Sequence, residues 1–172
     1  MPDNIILTGF MGTGKTQVGR RLAKRLGWRF IDTDLIIEQE LGTSIRQLFA
    51  EKGEAYFRGQ ERRVIARVCQ DQRCVIATGG GAIVDPANAQ QLQNSGLLIC
   101  LTATPEVIFA RVRGNTDRPL LQAEDPLSTI RSLLARRSDA YARAQLTIDT
   151  SQQSVEQVVA VVLNAYRDYA RV

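Results

Sequence analysis

The chain has 172 residues, 44% hydrophobic and 23% charged, the composition of one globular domain rather than a disordered, collagenous or coiled-coil segment. No apolar run approaches the ~20 residues that span a bilayer, the opening MPDNIILTGF carries no secretory pattern, and Cys69, Cys74 and Cys100 form neither a CxxC set nor an even disulfide framework, so a reduced, cytoplasmic protein is expected. Histidine is absent, which excludes Ser-His-Asp and Cys-His catalysis and His-ligated zinc, and the net +4, from 19 arginines and 3 lysines against 18 acids, is too scattered for a nucleic-acid surface.

Taken in chain order, Asn4–Thr8 (NIILT) reads as a short strand. From Thr16, Val18, Leu22 and Leu26 recur at helical spacing until Gly27 stops the run. Arg29–Ile31 is a second strand, followed by helical stretches over Leu35–Leu41, Ser44–Glu51 and Glu54–Cys69. Cys74–Ala77 (CVIA) and Leu97–Leu101 (LLICL) are continuous apolar strands. Asp85-Pro86 and Thr104-Pro105 each open a helix with a cap and a proline at its first position. Arg113–Asp125 is polar and rich in breakers. A helix from about Pro126 to Ala142, the strand Leu146–Ile148 and a helix from Ser154 complete the pattern. Five strands alternating with helices predict an α/β fold: one parallel sheet covered on both faces, in a single domain over 1–172. Ligands in such folds sit beyond the carboxyl ends of the strands.

The residues just past those ends carry the chemistry. Gly9-Phe10-Met11-Gly12-Thr13-Gly14-Lys15-Thr16 fits G-x-x-x-x-G-K-[ST], after a strand and opening a helix. Glycines let backbone N–H groups converge on phosphate oxygens, and the helix N-terminus adds partial positive charge. Lys15 is placed on the β- and γ-phosphates and Thr16 on Mg²⁺, so the loop points to a nucleoside triphosphate.

No carboxylate follows the strand Cys74–Ala77, which instead runs into Thr78-Gly79-Gly80-Gly81. The acids come earlier, as Asp32-Thr33-Asp34, where strand alternation is expected to send both carboxylates to one side. A division of labour follows: Asp32 for the metal and its waters, Asp34 for an incoming hydroxyl. The competing reading is an Asx turn that merely caps the next helix. Three consecutive glycines suggest backbone brought close to a ligand, against a reading of close helix packing alone. Arg58 lies three residues before Glu61, a spacing that holds an arginine in place or makes an ordinary solvated surface pair.

Taken together, GFMGTGKT, FIDTD, YFRGQE, ATGGGA, RVRGNTDRPLL and an arginine four residues before Tyr141 resemble the shikimate kinases over essentially the whole chain. The resemblance implies a three-layer P-loop kinase fold, with a substrate-binding helical region at about 33–61 and a mobile lid at about 112–126. It implies transfer of the γ-phosphoryl group of ATP to the 3-hydroxyl of shikimate, on the way to chorismate and the aromatic amino acids. Arg58 and Arg137 match the arginines that hold the carboxylate of shikimate, and Gly80 the glycine that offers its N–H. Asp34 matches the residue that meets the hydroxyls and acts as base. Asp32 and Thr16 match the residues that order one Mg²⁺. Gly12, Thr13, Gly14, Lys15, Thr16 and Gln17 match the ATP loop, Arg111 a residue that packs on adenine, and Arg118 the lid arginine that joins Lys15 in catalysis.

Asp139 stands where the family commonly has proline, in Arg137-Ser138-Asp139-Ala140-Tyr141, and spacing from Tyr141 favours Arg137, with its neighbour Arg136 as the alternative. The loop before Ser154 lacks an arginine that some members place near adenine, and no residue is assigned there. Two other functions fit the phosphate loop: a gluconate-type small-molecule kinase, and a nucleotide-binding paralogue without catalysis. The expected partners are ATP and shikimate only, with no nucleic acid and no membrane, and the expected state is a monomer.

Overall fold

Each apolar run is separated from the next by at least one helix, and a crossover of that length returns the chain parallel to the strand before it. The computed structural model, which describes residues 3–114 and 123–171, shows that outcome. Strands β1 (Asn4–Thr8), β2 (Arg29–Asp32), β3 (Cys74–Ala77), β4 (Gly96–Thr102) and β5 (Leu146–Asp149) form one parallel sheet in the order β2-β3-β1-β4-β5. Helices α1 (Lys15–Leu26), α2 (Thr33–Leu41), α3 (Ile45–Lys52), α4 (Glu54–Val68), α5 (Pro86–Ser95), α6 (Pro105–Val112), α7 (Pro126–Tyr141) and α8 (Val155–Tyr169) follow in chain order, with a 3₁₀ turn at Ala82–Val84.

Alternation along the strands divides the core in two. Ile5 and Leu7 of β1 face α1 and α8, packing with Val18, Leu22, Val158 and Val162. Ile6, between them, faces the opposite layer with Ile37 of α2, Phe57 and Ile65 of α4, and Leu92 of α5. Because both sheet faces are covered, the three central strands β3, β1 and β4 are buried, largely apolar runs, while the edge strands β2 and β5 carry polar, partly exposed residues. Among the described residues no helix is long and apolar enough to cross a membrane.

Two features bring the site together. β1 is central and pairs with β3, with Ile6 opposite Ile76. The pairing runs one residue further, where the Thr78 N–H donates to the Leu7 carbonyl at 3.0 Å. The loops that leave these two strands are therefore neighbours. Gly27, at φ +68°, closes α1 in the left-handed conformation. Asp85-Pro86 and Thr104-Pro105 cap α5 and α6 as the sequence predicts.

Candidate active site

The phosphate loop turns sharply between β1 and α1. Gly12 (φ +76°) and Gly14 (φ +99°) hold left-handed backbone that a side chain would strain. The Thr13 hydroxyl donates to the Phe10 carbonyl at 2.7 Å, closing the loop on itself. Lys15 Nζ donates to the carbonyls of Gly9 and Phe10 at 2.6 and 2.9 Å, so its charge sits within the loop. Thr16 and Gln17, in the first turn of α1, line the same cleft.

Asp32 and Asp34 reach that cleft by a route other than strand alternation. Asp32 is the last residue of β2 and the N-cap of α2, its Oδ1 accepting from the N–H groups of Asp34 and Leu35 at 3.0 and 3.2 Å. Asp34 already lies in the first helical turn. The helix start, not the pleat, puts the two acids on one side, and capping coexists with a place in the cleft rather than competing with it. Burial, aided by the negative charges of Glu61 and Asp32, raises the Asp34 carboxyl to about 7, with Lys15 opposing. Asp34 Oδ1 accepts no hydrogen bond from the described residues.

The glycine triplet after β3 explains itself sterically, since none of the three has positive φ. A Cβ on Gly79 would stand 2.8 Å from Asp34 Oδ1 and 3.1 Å from Glu61 Oε2. One on Gly80 would stand 3.3 Å from Arg137 Nη1 and from the Gly9 carbonyl, and one on Gly81 would run into the Arg58 guanidinium. Each glycine thus makes room for a different polar side chain.

Arg58 is fixed from its own helix. Its Nη1 donates to Glu61 Oε1 at 2.8 Å, Glu54 lies 3.4 Å from its Nη2, and its guanidinium covers the Phe57 ring at 5.2 Å. Glu61 is 1% exposed, so the pair is no solvated surface bridge. Burial raises the Glu61 carboxyl, and Arg58 and Arg137 hold it down. Arg137 lies 5.5 Å over the Phe10 ring, and Tyr141, one helical turn on, donates to the Gly80 carbonyl at 2.8 Å. Arg137 lines the main cleft of about 800 Å³, whereas Arg136 lines only a smaller cavity of about 390 Å³ beside it.

At the far side of the phosphate loop, Arg111 Nη1 donates to the Gly12 carbonyl at 3.1 Å and its two amino groups hold Thr150. Arg118 and most of the segment assigned to a lid lie outside the described residues. All other residues named from the sequence, Gly12 to Gln17, Asp32, Asp34, Arg58, Gly80, Arg111 and Arg137, line the same cleft.

Comparison with known proteins decides the family. The family model described as shikimate kinase matches residues 11–167. The shikimate kinase of Geobacter metallireducens is 47% identical over 159 residues, covering 92% of this chain and 89% of that protein. The chain belongs to the shikimate kinase family. Among solved shikimate kinases, that of Acinetobacter baumannii in complex with shikimate superposes with a TM-score of 0.92 at 37% identity, covering 97% of this chain and 94% of the other. A gluconokinase from Sinorhizobium meliloti, at TM-score 0.61 and 16% identity over 98% of this chain and 96% of its own, shares the fold alone.

Three contributors escaped sequence reading. Glu61 was visible only as the partner of a pair that suits a surface equally well. Phe10 and Thr150 carried no signal, because the one meets Arg137 and the other Arg111 only through the fold.

Proposed function

We infer that the chain transfers the γ-phosphoryl group of ATP to the 3-hydroxyl of shikimate, giving shikimate 3-phosphate and ADP. One observation carries the reading: two arginines, a half-buried carboxylate and a bare glycine turn face the phosphate loop across a single cleft. An acceptor with one carboxylate and several hydroxyls matches that set. Arg58 and Arg137 grip the carboxylate, the Gly80 N–H adds a donor, and Asp34 meets the hydroxyl to be phosphorylated.

Phosphoryl transfer depends on positioning and charge neutralisation more than on covalent steps. Gly12, Thr13 and Gly14 direct N–H groups to the nucleotide, with Gln17 at the helix start. Lys15 moves from the loop carbonyls to the β- and γ-phosphates, and Arg118 supplies a second cation to the transferring oxygens. Asp34, once ionised, takes the proton from the acceptor hydroxyl as the new P–O bond forms. The hydrogen bonds of Arg111 lie in its guanidinium plane, which leaves the flat faces for adenine.

The donors beside the loop fit magnesium. Thr16 offers a hydroxyl and Asp32 keeps its second carboxylate oxygen, both hard ligands in the cleft. Among the described residues no cluster of three or more acids, cysteines or histidines forms a self-sufficient cation cage. That suits an ion held largely by phosphate and water. When bound, Mg²⁺ held by Thr16 and Asp32 would neutralise phosphate charge during transfer.

The test is ADP release from Mg-ATP with shikimate, with gluconate and with no acceptor. Release that requires shikimate is expected. Release with gluconate alone would replace the acceptor, and release with neither, despite ATP binding, would favour a non-catalytic nucleotide-binding role.

A further inference from the structure

Thr150 sits in the loop between β5 and α8, at 3% exposure, and is bonded on every side. Its N–H donates to the Thr102 carbonyl at 2.8 Å. Its hydroxyl stands 3.0 Å from that same carbonyl and 3.1 Å from the carbonyl of Thr13 in the phosphate loop. Arg111 Nη1 donates to the hydroxyl at 3.0 Å and Nη2 to the Thr150 carbonyl at 2.8 Å. The same Nη1 holds the Gly12 carbonyl at 3.1 Å. Thr150 and Arg111 together thus grip two successive carbonyls of the phosphate loop.

Those carbonyls matter because a trans peptide is planar, with the C=O of one residue and the N–H of the next pointing in opposite directions. Holding the Gly12 carbonyl sets the direction of the Thr13 N–H, and holding the Thr13 carbonyl sets that of the Gly14 N–H. Gly12 and Gly14 have the backbone freedom to let these planes turn. A hydroxyl has one proton and two lone pairs; the Thr102 carbonyl already takes the Thr150 N–H, so the hydroxyl can accept from Arg111 while its proton goes to the Thr13 carbonyl. A valine has the same shape and can do neither.

We propose that Thr150 is a positioning residue for the nucleotide: with Arg111 it pulls the Gly12 and Thr13 carbonyls outward, aiming the Thr13 and Gly14 N–H groups at the phosphates. It acts on the phosphate chain and not on the base. This rests on the cleft being the ATP site, and the experiment separates the two claims.

Thr150→Val, Thr150→Ala and Thr150→Ser are compared with wild type in the shikimate-dependent ADP assay, with inorganic tripolyphosphate as a base-free competitor of ATP. Thr150→Val is expected to raise KM for ATP about tenfold, the scale of one hydrogen bond to a charged group. The inhibition constant for tripolyphosphate should rise by the same factor. KM for shikimate should stay within about twofold, and Thr150→Ser should restore both values. An unchanged KM for ATP, or an equal rise in both KM values, would overturn the proposal. So would an unaltered tripolyphosphate constant, or a wild type that tripolyphosphate does not inhibit, since either places the effect on the base. Should Thr150→Val fail to fold, Thr150→Ala serves in its place. Failure of both would make the hydroxyl a requirement of folding and overturn the proposal. A wild type without shikimate-dependent release would refute the function itself.

Discussion

Burial and three acidic neighbours, Glu61, Asp32 and Glu38, hold the Asp34 carboxyl near pH 7, in a chain with no imidazole to share that range. A base must be ionised to work, so kcat/KM for shikimate should climb as pH rises through about 7 and level off above it. A flat profile from pH 6 to 8 would remove Asp34 from that role. The stability effect has the opposite sign. Between the ordinary value of 3.8 and about 7, the folded chain keeps a proton that the unfolded chain has released. Stability from this group therefore falls as pH rises across that window. Asp34→Asn should melt at a higher temperature relative to wild type at pH 8 than at pH 5, while turnover drops by about 10²–10⁴-fold. Near-normal ATP binding in the variant, read by calorimetry, would separate lost chemistry from lost structure. The Asp32-Thr33-Asp34 spacing makes both acids legible in the sequence. The raised proton affinity was not visible, because the burial that mainly causes it, and the approach of Glu61, arise only when the helices pack together.

At the scale of elements, the strand–loop–helix units around the phosphate loop were the most legible part of the chain, since motif, strand and helix start are contiguous. The glycine triplet was legible as an anomaly, but its reason was not: the side chains it accommodates come from α2, α4 and α7. Here the triplet makes a specific prediction. Gly81→Ala presses on the tip of Arg58, a flexible side chain, so it should raise KM for shikimate while costing little stability. Gly79→Ala presses on the half-buried Asp34 and the buried Glu61 carboxylates and should instead lower kcat. Steady-state kinetics with thermal melting would distinguish them, and identical profiles would refute the assignment. Helix α1 offers a purely structural counterpart. A Cβ on Gly19 would stand 2.5 Å from Phe30 Cε2, and Leu22 is fully buried between α1 and the sheet. Leu22→Ala should cost about 2–5 kcal/mol in denaturant unfolding, and Gly19→Ala about 1–3 kcal/mol despite its better helix propensity.

For the whole molecule, the proposed function puts acceptor and nucleotide at opposite ends of one cleft, with Arg58 at one and the phosphate loop at the other. Arg58→Ala should therefore raise KM for shikimate by about ten- to a hundredfold and leave KM for ATP within about threefold. Equal increases would mean that Arg58 holds the cleft together rather than gripping a carboxylate. The layered α/β architecture was legible from alternation and helix length. Which arginine enters the cleft was legible from its spacing to Tyr141, and the fold supplies the physical reason. Arg137 reaches over Phe10 while Arg136, one residue earlier on α7, turns to the neighbouring cavity.

The three glycines after β3 also limit how the enzyme's taste for acceptors can change. Each is matched to a side chain on a different helix: Asp34, Arg58 or Arg137. Enlarging Gly79 or Gly81 forces its counterpart to shift, and shortening the counterpart alone leaves an unfilled gap beside a bare backbone. A new acceptor preference thus requires paired changes, one in the tripeptide and one on the facing helix. Libraries of single substitutions would find only weakened versions of the present enzyme, whereas libraries that couple position 81 with position 58, or 79 with 34, would reach acceptors of different shape.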